Sequence, residues 1–421
     1  MRDIILLIAI PLGLAYGLTS ASRSVLVLNW LWFQRPYSFA YDFWSRIPIF
    51  QIAVAATLIS NIARGALRPK GSLILLVYIL LLIWLTLSAI LAFSPPVAWE
   101  FYKEFLPSMI VSPILMYATI NDLDLLKKVL WVSAGGIGLN AFKVGLAMTA
   151  RGGGVLSTQI AGFVGDNNVF GLTLCLVVPI LIGLRSTVPN KRWMKISFVV
   201  FLLFICLCII YTRSRGAQLT LLIILLCRAL FSERKVRNVA IVLLAVLGTF
   251  LLVPEHYFNR LHTLDDLQAN ASFMGRLQNW ELSWNEALRY PLFGVGPGNH
   301  LIYNESRPHT VTVRVAHSVY FQTLGELGFP ALFLYLLFLI LTLKMLFRTR
   351  KYAIRLAAEY PDLSWVRDVA SWMICGYIGY IVGSAFLNMF YIEFPWYLPF
   401  YGSMLMPLSI SEANRRVALS T

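Results

Sequence analysis

The chain has 421 residues, 58% of them hydrophobic and only 13% charged, against about a quarter charged in an ordinary soluble domain. With apolar runs of roughly 20 residues recurring along it, that balance excludes a soluble globular protein and predicts an all-α polytopic membrane protein. The net charge of +15 is dispersed over short loops, so no nucleic-acid partner is expected, and the lack of period-2 alternation argues against a transmembrane barrel.

Taken in order, the apolar runs predict twelve transmembrane helices: 4–20, 46–63, 72–92, 98–119, 125–148, 165–184, 194–212, 215–231, 236–253, 317–346, 366–389 and 395–411. The first lacks a small-residue cleavage site and reads as an uncleaved helix. Ser24–Phe33 is also apolar, but ~10 residues are too few to cross, so it reads as interfacial or re-entrant. An aromatic belt containing Trp30, Trp32, Tyr41 and Trp44 flanks it. With twelve crossings both termini fall on one face together with the basic loops, among them Arg64–Lys70, Lys127–Lys128, Arg185–Lys195, Arg228–Arg237 and Lys344–Arg355. This positive-inside pattern marks that face as cytoplasmic. The organisation expected is then nine helices over 1–253, one large exported loop over 254–316, and C-terminal helices with a cytoplasmic tail over 317–421.

The long polar stretch Pro254–Phe321 holds all five histidines: His256, His262, His300, His309 and His317. It carries Arg260, Arg276, Arg289, Arg307 and Arg314 against six acids, so it lacks the cytoplasmic bias and faces outward. Within it Phe273, Leu277, Trp280, Trp284 and Leu288 recur at helical spacing. They predict an amphipathic helix capped by Ser272, with the apolar stripe buried on the membrane or the bundle and Arg276 on another side. Pro291–Gly298 ends that helix.

Three basic side chains converge by topology at the outward surface. Arg213 and Arg215 lie in the short turn Tyr211–Ala217, Arg276 in the loop helix, and His317 where the chain re-enters the membrane. An arginine at a helix start opposes the helix dipole, but exposed N–H groups beside a guanidinium suit a phosphate. Two such forks, Arg215 and Arg276, match a diphosphate; snorkelling or pairing with Asp265 or Asp266 is the ordinary alternative. A neutral imidazole at a helix N-terminus suits His317 to act as a general base, although a capping or packing role is equally open. Glu326, Lys103, Glu104 and Lys143 sit in or at the ends of spans, where charge is costly and usually purposeful. Glu326 could orient a ring or pair with a cation, and Lys103 could simply pair with Glu104.

No HxxxH or HxH pair occurs, so no metal is expected. Cys175, Cys206, Cys208, Cys227 and Cys375 all lie in apolar runs and read as packing residues. Gly294–Gly298 is glycine-rich, but no strand precedes it and no Lys-Ser/Thr follows, so it reads as a tight turn over the site.

Thr212-Arg-Ser-Arg-Gly-Ala217, Gly275-Arg276 with Trp280, Pro291–Asn299, and His317–Gly328 together resemble, in order and spacing, the O-antigen ligase family, whose fold is shared with O-antigen polymerases. The N-terminal part is similar to ligases associated with exosortase systems. The resemblance implies a GT-C-like, inverting, metal-independent glycosyltransferase of the inner membrane that needs no cofactor. Its partners would be an undecaprenyl-diphosphate-linked glycan, a lipid A-core acceptor and the lipid bilayer, meeting on the periplasmic face. It assigns His317 as base and Arg215 and Arg276 as diphosphate ligands, with Arg213 and Arg314 assisting. A polymerase or a protein O-glycosylation ligase would use the same donor. A transporter would place its polar groups near the midplane and often show internal repeats, whereas here they gather at one face.

Overall fold

A computed structural model describes residues 2–39, 47–68, 70–152, 166–232, 235–252, 268–307 and 312–420. Every regular element among them is helical: α1 Arg2–Leu18, α2 Ala21–Gln34, α3 Ile49–Ala63, α4 Leu73–Ile90, α5 Pro95–Phe105, α6 Ser112–Thr119, α7 Leu123–Ala150, α8 Asn167–Gly183, α9 Arg192–Tyr211, α10 Arg215–Leu230, α11 Lys235–Leu252, α12 Gln268–Arg289, α13 His300–Glu305, α14 Val319–Glu359, α15 Ser364–Gly383 and α16 Phe394–Ser420. Six of them, α4, α7, α8, α9, α14 and α15, two extended by short turns, are long and apolar enough to cross a membrane.

The helix starts carry the caps expected of them. Asp122 accepts from Leu125 N at 2.7 Å, Asp166 from Val169 N at 3.0 Å and Ser214 from Ala217 N at 3.2 Å. Helix α8 is buried on nearly all sides, whereas α9 turns most of its surface outward. Close approach at the centre depends on small residues: a Cβ on Gly183 would collide with the backbone of Val369 on α15.

The basic loops gather at one end of the bundle. Arg64 donates to the Leu18 carbonyl, Arg68 N to Ala118 O at 2.9 Å, and Lys70 Nζ to Tyr117 O at 3.0 Å. Ser24–Phe33, expected to be interfacial or re-entrant, lies inside the bundle. The Leu18–Ala21 turn lies at the basic end, where Ser24 also meets Asn61 at 3.4 Å. From there α2 runs to the opposite end, with Val25, Leu28, Leu31 and Phe33 almost wholly buried. Helix α1 therefore starts at the end away from the basic loops. A helix of ~20 Å is stable here because its polar groups are satisfied inside the bundle. Asn29 Oδ1 accepts from Ser133 at 2.8 Å and Tyr401 at 2.9 Å.

Two expected continuous spans are broken. The 98–119 span is α5, a π-helical turn over Leu106–Val111, and α6. The 317–346 span is interrupted at Gly328, with φ 83° and ψ 179°. The carbonyls freed there are all taken up: Val295 N donates to Gly325 O at 3.0 Å, Gly296 N to Glu326 O at 2.9 Å, and Trp84 Nε1 to Leu327 O at 3.2 Å. In the other direction, Phe329 N donates to Pro291 O at 3.0 Å. The glycine-rich Pro291–Gly298 stretch is thus a backbone plug in a broken helix. Gly328 is required by its positive φ and because a Cβ would strike Leu292 O.

Candidate active site

The end opposite the basic loops brings together the three segments that carry Arg215, Arg276 and His317. The first is the turn before α10. Arg213 takes φ 54°, and Ser214 N donates to Thr212 Oγ1 at 3.2 Å while its hydroxyl caps α10. The turn leaves Arg215 exposed at the first position of the helix and Arg213 half-buried.

The second is α12, whose inward face is polar. Asn279, Ser283, Glu286 and Ala287 face inward, each at most 1% exposed. Leu277, Trp284 and Leu288 of the apolar stripe remain 37–58% exposed. Arg276 is three residues before Asn279 and shares the inward face, half-buried, on a side other than the exposed Leu277, Trp284 and Leu288. Against lipid the inside-out arrangement is the stable one, since apolar surface meets hydrocarbon and polar groups find partners within. Ser272 falls inside the helix, not at its cap.

The third is the extended segment before α14. Arg314 N donates to Asn279 Oδ1 at 2.8 Å, and Arg314 O accepts from His300 Nε2 at 3.0 Å. Ala316 O accepts from Trp280 Nε1 at 2.8 Å, and Ser318 N donates to Asn388 Oδ1 at 3.2 Å. His317 is pinned between these anchors with φ 49°, a left-handed conformation that a non-glycine residue keeps only when its surroundings enforce it.

The three groups feel one another. Burial and the charge of Arg215 depress the pKa of Arg276. Burial first, then the charges of Arg276 and Arg314, depress that of His317, with Asp166 at the head of α8 opposing. Two guanidiniums and an imidazole that stays neutral at neutral pH can hold a dianion and accept a proton.

Beneath them lies a buried network that the sequence did not reveal. Glu286 Oε1 meets His300 Nδ1 at 2.8 Å and also accepts from Asn304 Nδ2. Both His300 nitrogens therefore face acceptors, a carboxylate and a carbonyl, so the ring is the doubly protonated imidazolium. Burial opposes that charge, but the bond to Glu286, the nearby Glu326 and the Arg314 carbonyl together raise the His300 pKa.

The remaining expected residues divide. Arg314 is exposed beside His317, its backbone held as above. Glu326 is 6% exposed and takes hydrogen bonds from Tyr391 OH at 2.7 Å and Gly298 N at 3.2 Å; it forms no ion pair with a described cation. Lys103 and Glu104 are both exposed on α5 and do not pair with each other, and Lys143 is exposed on α7. His256, His262, His309, Asp265 and Asp266 lie outside the described residues. Among the described residues no group of three or more His, Cys, Asp or Glu is disposed to hold a metal ion.

Compared with known families, residues 198–336 match the model described as O-antigen ligase, a stretch that contains Arg215, Arg276 and His317. Residues 1–185 match a family of unknown function. No curated protein matches the chain.

Proposed function

On the match of residues 198–336 to the O-antigen ligase model, we propose that the chain is an inverting glycosyltransferase whose donor is a glycan on undecaprenyl diphosphate and whose acceptor is a sugar hydroxyl of lipid A-core. The basic end faces the cytoplasm of an inner membrane, so transfer occurs on the periplasmic side. His317 takes the proton of the acceptor hydroxyl as its oxygen attacks the anomeric carbon. The bond from that carbon to the diphosphate breaks, and the electron pair leaves with undecaprenyl diphosphate. Arg215 and Arg276 bind the diphosphate and stabilise the charge that develops on it. No metal takes part.

One observation carries this reading: Arg215, Arg276 and His317, from three separate parts of the chain, lie within electrostatic reach of one another at the end of the bundle opposite the basic loops. The test is reconstitution of the purified protein in vesicles with undecaprenyl-diphosphate glycan and lipid A-core, with chelator present throughout. A joined product is expected. Its absence, or its appearance only after divalent metal is added, contradicts the proposal.

A further inference from the structure

A cleft of about 400 Å³ lies between α5, the upper part of α14 and the residues that follow α15. Arg215, Arg276 and His317 do not line it, but Val315 and Ala316, immediately before His317, form part of its wall. Another wall is aromatic: Tyr391 packs against Phe101 at 4.6 Å and Phe105 at 5.1 Å between ring centroids. Just beyond Phe105 the helix widens into the π-helical turn, a distortion found often at functional sites.

The polar groups of the cleft are mostly hydrogen-bond acceptors. Glu104, Glu326 and Glu393 all line it, and its one guanidinium, Arg35, is held by Glu393 at 3.3 Å. The second cation, His300, is matched by Glu286. Glu326 uses Oε2 for Tyr391 and Gly298, while no described residue hydrogen-bonds its Oε1. Gln322 Oε1 is buried with no partner among the described residues. Buried acceptors without donors are costly, and a ligand rich in hydroxyls satisfies them. A phosphate brings further acceptors and negative charge, which Glu104 on the cleft wall opposes while Glu393 is already paired with Arg35.

We infer that this cleft is the acceptor subsite and that it selects a neutral, hydroxyl-bearing sugar ring over one bearing phosphate or diphosphate. The inference rests on the glycosyltransferase reading above. It puts the anionic donor and the neutral acceptor on different groups, with His317 beside the boundary. It also makes a second diphosphate-linked lipid a poor acceptor, which separates ligation from polymerisation at this site.

The experiment uses the full-length protein in vesicles, with undecaprenyl-diphosphate glycan as donor and either lipid A-core or a second molecule of the donor as acceptor. Gln322→Ala and Glu326→Gln should raise the KM for lipid A-core about tenfold, the effect of one lost hydrogen bond, and leave the donor KM in place. Glu104→Lys, an exposed position that does not threaten folding, should improve use of the diphosphate-bearing acceptor relative to lipid A-core. The inference is overturned if Gln322→Ala and Glu104→Lys leave acceptor KM and acceptor choice as in the wild type, or if donor KM rises equally. A wild-type protein that turns over normally while these variants show no change sinks the cleft alone. A wild-type protein that forms no joined product sinks the glycosyltransferase reading and the cleft with it.

Discussion

Trp280 and Phe321 lie face to face, with ring centroids 5.0 Å apart and planes 9° apart. The stack joins α12 to the first turn of α14, and the same indole holds Ala316 O, next to His317. Trp280→Phe keeps a stacking surface and loses the hydrogen bond; Trp280→Ala loses both. We expect turnover to fall about tenfold in the first and ~10²-fold in the second, with the protein still inserted and folded. Rates for a fixed donor and acceptor pair, compared with near-wild-type melting, check this.

The depressed pKa of His317 fixes the acid side of the pH profile. The neutral base persists to lower pH than an ordinary histidine allows, so kcat/KM should begin to fall only below the usual value of about 6.5. Arg276→Gln removes one depressing charge while burial persists, so the acid limb should move upward toward that value, along with a loss of rate. His317→Ala should abolish transfer. An acid limb unmoved in Arg276→Gln would disconnect the two residues.

Arg215→Lys keeps the charge and loses the fork. An ammonium cannot make paired bonds to two phosphate oxygens, so turnover should drop ~10²-fold. Wild-type rates in that variant would exclude bidentate binding.

The His300–Glu286 pair should show itself in stability. Its pKa is raised on folding, so its contribution is complete below the unfolded value and disappears as pH rises through the folded one. The melting temperature of the wild type should fall as pH rises through that window. His300→Ala leaves Glu286 charged and buried, at a cost of about 3–5 kcal/mol. The same variant frees the Arg314 carbonyl, so kcat should suffer more than donor KM.

Gly328 sits in backbone space that only glycine enters freely. Gly328→Ala should destabilise by ~1–3 kcal/mol from strain, and more because the added carbon meets Leu292 O. Loss of yield or a lowered melting temperature, in a variant that retains the α12 contacts, is the measurement.

The unbroken apolar runs were read correctly because hydrocarbon imposes a single length on them: 72–92, 125–148, 165–184 and 194–212 correspond to α4, α7, α8 and α9. Helix α2 is shorter than those spans, and Ser133 and Tyr401 meet its Asn29 from other helices. The Gly328 break was hidden because the residues around it are apolar and helix-forming, while its partners, Trp84 and Pro291–Gly296, are distant in sequence. Arg215, Arg276 and His317 were legible as charges placed where a helix end or a membrane edge does not explain them. His300 and Glu286 were not, since their pairing spans 14 residues across a turn and follows no helical spacing. Arg35 and Glu393 did carry a signal, as lone charges among aromatic residues.

The inside-out character of α12 makes the bilayer part of the machinery. Cut from its surroundings, the loop would show water a greasy flank of Leu277, Trp284 and Leu288 and would clump rather than fold. Set against a bilayer, that flank would sit at the depth its hydrocarbon contacts dictate, and Arg276 would ride with it. A thinner or thicker membrane should therefore raise or lower one of the two guanidiniums against the other.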